Sequence, residues 1–186
     1  MTQAKPFTPA KLICGMISGR EEYFRIGEER LVECFGPIDF RSPVFPFATT
    51  DYYEKEMGPA LKRGFLSFER LVPPDGLSAI KLQTNALEGE IGAALAADYR
   101  VVNLDPGILK LSALIMATAK NFAHRVPLSG GIYAHLEFLF TKAGVKTLEW
   151  TYPDFRSENY WKFFLDVRKI FMKQVRGLAS KNGSPS

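Results

Sequence analysis

The stretch RGFLSFERLV, residues 63–72, decides the fold. In a strand, alternate residues face opposite sides. Phe65 and Leu71 then fall on one face, and Leu66, Phe68 and Val72 on the other. A strand that is apolar on both sides belongs inside a sheet that is covered twice. Its neighbours define that sheet. Upstream, IDFRSPVFPF (38–47) is extended, and its two prolines suit an edge strand. Before it, residues 20–35 read as a helix, with Phe24, Gly27, Leu31, Cys34 and Phe35 at helical spacing and Gly36-Pro37 as the stop. KLICGMI (11–17) reads as a buried strand. Downstream, Pro73-Pro74-Asp75 leads into a second helix, about 76–97, with the stripe Leu77, Ile80, Thr84, Leu87, Ile91 and Leu95. RVVNLD (100–105) reads as a strand closed by Pro106-Gly107.

The order β-α-β-β-α-β is that of the ferredoxin-like split βαβ unit. The expected class is α+β, with a four-stranded antiparallel sheet and both helices on one face. The remaining residues are expected to cover the other face. Segment 108–120 fits a helix or a strand. AHRVPLSGGIYAHLEFLF (123–140) is a hairpin candidate that turns at Gly130-Gly131, and it is expected to form an additional β-hairpin layer. KTLEW (146–150) offers one more strand. Ser157 suits the N-cap of a C-terminal helix, about 158–176. That helix carries an apolar stripe of Tyr160, Phe163, Phe164, Val167, Ile170 and Phe171. Lys162, Lys169, Lys173 and Arg176 lie opposite, as expected of a solvated face. Trp161, Leu165 and Met172 form a flank that suits a domain cap or a homodimer contact.

The 186 residues favour one domain, read as 11–176, with flexible termini at 1–10 and 177–186. The apolar run Ile108–Ala119 is too short to span a bilayer, and the N-terminus lacks a signal-peptide core. A cytoplasmic location follows as an expectation. Cys14 and Cys34 are the only cysteines, without metal-ligand spacing, so no metal site is expected. The net charge of +4 is too small to imply nucleic-acid binding, and does not exclude it. No P-loop, dinucleotide fingerprint, nucleophile elbow or zincin motif is present, and no cofactor is indicated.

The remaining chemistry lies in polar clusters. If Gly130-Gly131 forms a two-residue turn, His124 faces Glu137 and shares its side of the hairpin with His135 and Tyr133. A three-residue turn would instead bring Arg125 opposite His135. An imidazole beside a carboxylate suits acid–base work. Asn103 and Asp105 share a face of their strand, and a buried Asp105 needs a partner such as Arg125, His124 or Arg63. Lys81, Asn85 and Glu88 form a row on the second helix. The polar loop 49–59 offers Asp51, Tyr52, Tyr53 and Glu54. Tyr152-Pro153-Asp154 reads as a rigid connector. The candidate catalytic residues are therefore His124, Glu137 and Asp105. The candidate ligand residues are Asp51, Tyr53, Arg63, Asn85, Glu88, Asn103, Arg125 and Tyr152.

FGPIDFRSPVFPFATTDYYEKEMG, FLSFERLV, IKLQTNALE, VNLDPG, HRVPLSGGIYA and WTYPDFRS together resemble the bacterial family named domain of unknown function 4416, from about Lys11 to about Arg168. The resemblance implies no established activity. Some members carry the label "GTP-binding protein", which the missing P-loop does not justify here. The family's recurring polar words fall on Thr50-Asp51-Tyr52-Tyr53, Thr84-Asn85, Asn103 to Gly107, His124-Arg125 and Tyr152-Pro153-Asp154. Three readings of function compete. The first is a site for a small anionic ligand, a metabolite or nucleotide, because Arg and His suit phosphate or carboxylate. The second is an RNA-binding accessory domain. The third is a non-catalytic adaptor.

Overall fold

A computed structural model describes residues 3–47 and 53–182. The candidate loop residues Asp51 and Tyr52 lie outside the described residues. The first strand, β1 (Ala10–Ser18), is buried at every position. Helix α1 (Glu21–Phe35) follows, then β2 (Ile38–Arg41) and β3 (Phe45–Pro46). A four-residue helix, α2 (Glu54–Met57), precedes the long strand β4 (Lys62–Val72). Helix α3 (Leu77–Ala94) leads to β5 (Asn103–Leu109), β6 (Ala113–Thr118), β7 (Val126–Pro127), β8 (Tyr133–Thr141) and β9 (Gly144–Thr147). The last element is helix α4 (Glu158–Asn182).

Among the described residues all the strands join one nine-stranded sheet in the order β2-β4-β1-β5-β6-β8-β7, with β3 on β4 and β9 on β8. Every pairing is antiparallel. The protein is therefore α+β. β2 and β3 do lie at an edge, as the prolines predict.

The expected hairpin layer is not formed. β6, β7, β8 and β9 extend the same sheet instead of stacking on it. The reason lies at residues 110–112, a tight turn closed by Lys110 N–H to Ala113 O at 2.8 Å. It returns the chain onto the free edge of β5, whose backbone groups need partners. The second face is covered by α4. Even-numbered β1 residues Leu12, Cys14 and Met16 pack with Tyr23, Leu31 and Phe35 of α1 and Leu87 and Ile91 of α3. On the other face, Ile13, Phe65, Leu114, Phe138 and Phe140 pack with Tyr160, Phe163, Phe164, Val167 and Phe171 of α4. Lys162, Lys169, Lys173 and Arg176 are exposed, as their spacing predicts. No helix among the described residues is long and apolar enough to cross a membrane.

The other correction is that Pro106-Gly107 does not close the fourth core strand. Both residues lie inside β5, opposite Cys14 and Ile13 of β1. Pairing with β6 begins only at Gly107 and covers Gly107↔Met116, Ile108↔Ile115 and Leu109↔Leu114. Before that point β5 and β6 part, so Pro106 occupies a place where a missing N–H is tolerated.

Candidate functional site: a cleft where the sheet splits

The parting of β5 from β6 leaves the backbone of Leu104 without a strand partner on that side. Two side chains of α3 replace the strand. Leu104 N–H donates to Glu88 Oε1 at 2.6 Å, and Lys81 Nζ donates to Leu104 O at 2.8 Å. Residue 106 presents its backbone to the same side as residue 104. The proline therefore has no acceptor to lose there.

Two hollows open at this split. The first lies on the α4 face and measures about 440 Å³. Phe47, Tyr53, Met116, Tyr152 and Phe155 give it flat apolar walls; Arg63, Asp105, His135 and Asp154 give it polar ones. The second lies beside α3 and measures about 250 Å³. Its lining includes Lys81, Asn85, Glu88, Arg100 and Asn103. Both hollows are bounded by Tyr53, Asp105, Thr118 and Lys120, so they meet at the split.

Asp105 is the hub of the charges. Asn103 Nδ2 donates to it at 2.7 Å, Arg63 Nη2 approaches at 3.4 Å and Lys81 Nζ at 3.5 Å. Burial pushes its carboxyl up, but Lys81, Arg63 and Asn103 outweigh this and hold it below the usual range. Arg63 also donates to Asp154 at 2.9 Å, so one guanidinium joins two carboxylates. Gly15 makes this crossing of β1 feasible. A Cβ there would lie 3.0 Å from Arg63 Nη2 and 3.2 Å from the Phe65 ring. In the second hollow, Glu88 pairs with Arg100, which also reaches Glu56 at 3.7 Å. Burial keeps the Glu88 carboxyl above its ordinary range, although Arg100 and Lys81 oppose it.

The hairpin register is that of the three-residue turn. Val126 pairs with Ala134, and Leu128 N–H donates to Ile132 O at 2.8 Å, leaving Ser129, Gly130 and Gly131 as the loop. The expected facing of His124 and Glu137 is therefore not formed. Glu137 meets His135 instead, two residues away on the same face of β8. His135 Nε2 lies 3.0 Å from Glu137 Oε2. The contact is not aligned as a hydrogen bond, and neither atom has a hydrogen-bond partner among the described residues. Glu137 Oε1 accepts from Tyr152 N–H at 2.7 Å. Arg125 Nε donates to His135 Nδ1 at 3.3 Å, and His124 Nε2 lies 3.1 Å from the same atom. A guanidinium can only donate. Nδ1 is thus the acceptor, and the ring proton of His135 belongs on Nε2, beside Glu137. Arg125 also donates to Tyr152 Oη and Lys120 O, both at 2.6 Å. It stands behind the wall and braces Tyr152.

His124 is stacked on Trp150 at 5.0 Å between ring centroids. Desolvation, His135 and Arg125 all hold its pKa below the ordinary 6.5. NMR titration is expected to place it there, with the His135 proton on Nε2. The unfolded chain then takes up the His124 proton first as pH falls. The associated stability is full above about 6.5 and declines through the lower folded value. A His124 pKa at or above the ordinary value would refute this arrangement.

The family profile described as domain of unknown function (DUF4416) matches residues 8–171. The chain belongs to this family. No curated protein and no solved structure matches it. For a DUF4416 chain, the polar words found in the sequence acquire a location. Tyr53, Asn85, Asn103, Asp105, Tyr152 and Asp154 all border the cleft, as do Arg63 and Glu88. His124 and Arg125 contact His135 in its wall, and Glu137 lies behind His135. Sequence reasoning missed Lys120, Arg100 and the wall residues Phe47, Met116 and Phe155. Arg100 was readable only as the start of a strand, and Asp154 only as part of a connector. Among the described residues no group of three or more His, Cys, Asp or Glu is placed to hold a metal ion.

Proposed function

We propose that this DUF4416 chain binds a small ligand bearing an anionic group in the split between β5 and β6. The observation that carries the reading is convergence. Side chains from β4, α3, β5, β8 and the connector before α4 border two hollows that share Tyr53, Asp105, Thr118 and Lys120. The polar hollow supports the anionic character through its donors: Lys81, Arg100, Lys120, Asn85 and Asn103 all line it, with Glu88 and Glu56 engaging Arg100. Arg63 is a weaker anion ligand than its sequence context suggests, since Asp105 and Asp154 already compensate it. His135, Asp105 and Tyr152 are the groups through which the site would exchange protons, if it acts on its ligand. Classifying β2-β4-β1-β5, with α1 and α3 on one face, as ferredoxin-like is part of the same reading. It rests on the β-α-β-β-α-β order. The RNA-binding alternative draws no support from β1, which has no exposed residue on either face.

A thermal-shift screen over organic acids, sugar phosphates and nucleotides tests the proposal. A true ligand at 100 times its dissociation constant should stabilise the fold by about 2.7 kcal/mol. Arg100→Gln should reduce that shift while leaving the unliganded protein folded. If no anion stabilises the wild type, the reading fails.

A further inference from the structure

We infer that the cleft divides recognition of one ligand between its two hollows: an aromatic ring in the hollow on the α4 face, and a phosphate or carboxylate in the hollow beside α3. The inference rests on the reading of the cleft as a ligand site and adds the chemical class of the ligand.

The ring half follows from shape and charge together. Phe47, Tyr53, Met116, Tyr152 and Phe155 line the hollow on the α4 face with aromatic rings and a thioether, which favour a ring as partner. The volume of about 440 Å³ is ample for a substituted ring. The guanidinium of Arg63 is balanced there by Asp105 and Asp154. This hollow therefore has little net charge with which to hold an anion. Arg63 keeps one donor in reserve. It is 5% exposed, and its Nε–H has no acceptor among the described residues. Buried donors are nearly always satisfied, so an oxygen or nitrogen on the ring fits this position.

The anionic half follows from the donor set. Lys81, Arg100 and Lys120 stand among Asp105, Glu88 and Glu56, which engage Lys81 and Arg100, and Asn85 and Asn103 add amide groups to the donor set. The volume of about 250 Å³ admits a phosphate or carboxylate with some water. Tyr53, Asp105, Thr118 and Lys120 border both halves, so one molecule can reach through the split.

Calorimetric titration with phenyl phosphate, benzoate, inorganic phosphate and phenol separates these contributions. Phenyl phosphate or benzoate should bind at least about tenfold more tightly than inorganic phosphate or phenol. Which of the two is tighter distinguishes phosphate from carboxylate. Arg100→Gln should weaken the anionic probes about tenfold, the loss of one charge-assisted hydrogen bond, and leave phenol unchanged. Phe47→Leu should weaken only the ring-bearing probes. Contacts between the probe's ring protons and the Met116 methyl, read by NMR on the wild type, test the ring's place without any substitution. If inorganic phosphate binds as tightly as phenyl phosphate, or the ring lies away from Met116, the division is overturned and the cleft remains a ligand site. If none of the four probes binds while the wider screen finds a ringless anion, the division is likewise overturned. If the wider screen is also empty, both readings fall.

Discussion

Asp39→Ala should destabilise the protein by about 3–5 kcal/mol, the usual cost of stranding a buried charge. The charge is Lys11, which is 0% exposed although its sequence position suggests the rim of a strand. Its ammonium pairs with Asp39 and donates to Gln174 Oε1 at 2.9 Å. Asp39 is held in turn by Ser67 Oγ at 2.6 Å, and Gln174 Nε2 donates to Glu69 O at 2.8 Å. Burial lowers the pKa of Lys11, and Asp39 opposes this. Without Asp39 the ammonium loses its partner, and the folded-state pKa should fall further. The unfolded chain then holds the proton over a wider pH range than the folded chain. The deficit should therefore shrink as pH rises towards the ordinary lysine range. Denaturant unfolding at pH 7 and pH 9.5 measures both effects. A second variant, Lys11→Met with Asp39→Ala, should recover most of the loss because no charge remains buried. Equal instability of the double and single variants would show that packing, not charge, is at stake.

Gly107→Ala is the other large expected effect, about 3 kcal/mol from overpacking. A Cβ on residue 107 would lie 2.5 Å from Met116 Sδ, 2.9 Å from Ile115 O and 3.2 Å from Ile13 Cδ1. Met116 is flexible and can move. The carbonyl of Ile115 cannot, because it belongs to the paired stretch of β6. Alanine is normally tolerated in a strand, so a loss this large from one methyl group would locate the strain at the β5–β6 contact. Combining it with Met116→Ala should restore only part of the stability, since the backbone clash remains. Full recovery in the double variant would mean that the backbone contact does not matter.

These two sites show what was legible in the sequence. Strand and helix identities were readable wherever periodicity was strong: β1, α1, β4, α3 and the apolar stripe of α4 all lie where the pattern placed them. Lys11 was read only as the first residue of a strand. Parity fixes which face a side chain takes, but not that Asp39 and Gln174 await it there. Pro106-Gly107 was misread as a strand end because proline and glycine usually punctuate. The local rule held, since Pro106 does stop pairing with β6, but pairing with β1 continues through it. The sequence leaves the hairpin register open by one residue, and one residue exchanges the faces of a whole strand. The three-residue turn is the one formed, so Arg125 meets His135, and Glu137 lies by His135 in place of the His124 that a two-residue turn would bring. Most of the candidate site residues do come together in space, at the two hollows. Tyr53 stands out in a polar loop, Asn85 in a polar row on its helix, Asn103 and Asp105 on one face of their strand and Tyr152 in a connector, signals that need no knowledge of the topology. The ring-bearing wall carried no such signal, because in a Phe-rich chain a cavity phenylalanine and a core phenylalanine look alike.

The neck between β5 and β6 has a further consequence for how such a chain can diversify. A backbone ladder spaces strands at a fixed interval of about 4.8 Å. Where the ladder lapses, that ruler no longer applies. Only three residue pairs fasten β5 to β6. Beyond them the interval between the strands is governed by what packs across the gap. On one side α3 touches β5, β6 and β8; on the other α4 rests against residues of β1, β4, β6 and β8. The calibre of the opening is thus written in the side-chain volumes of two helices. A methylene gained or lost on the buried flank of α3 or α4 resizes the aperture without altering a single residue inside it. The width of the opening is accordingly adjustable from the rear of the molecule, with the charged lining left intact.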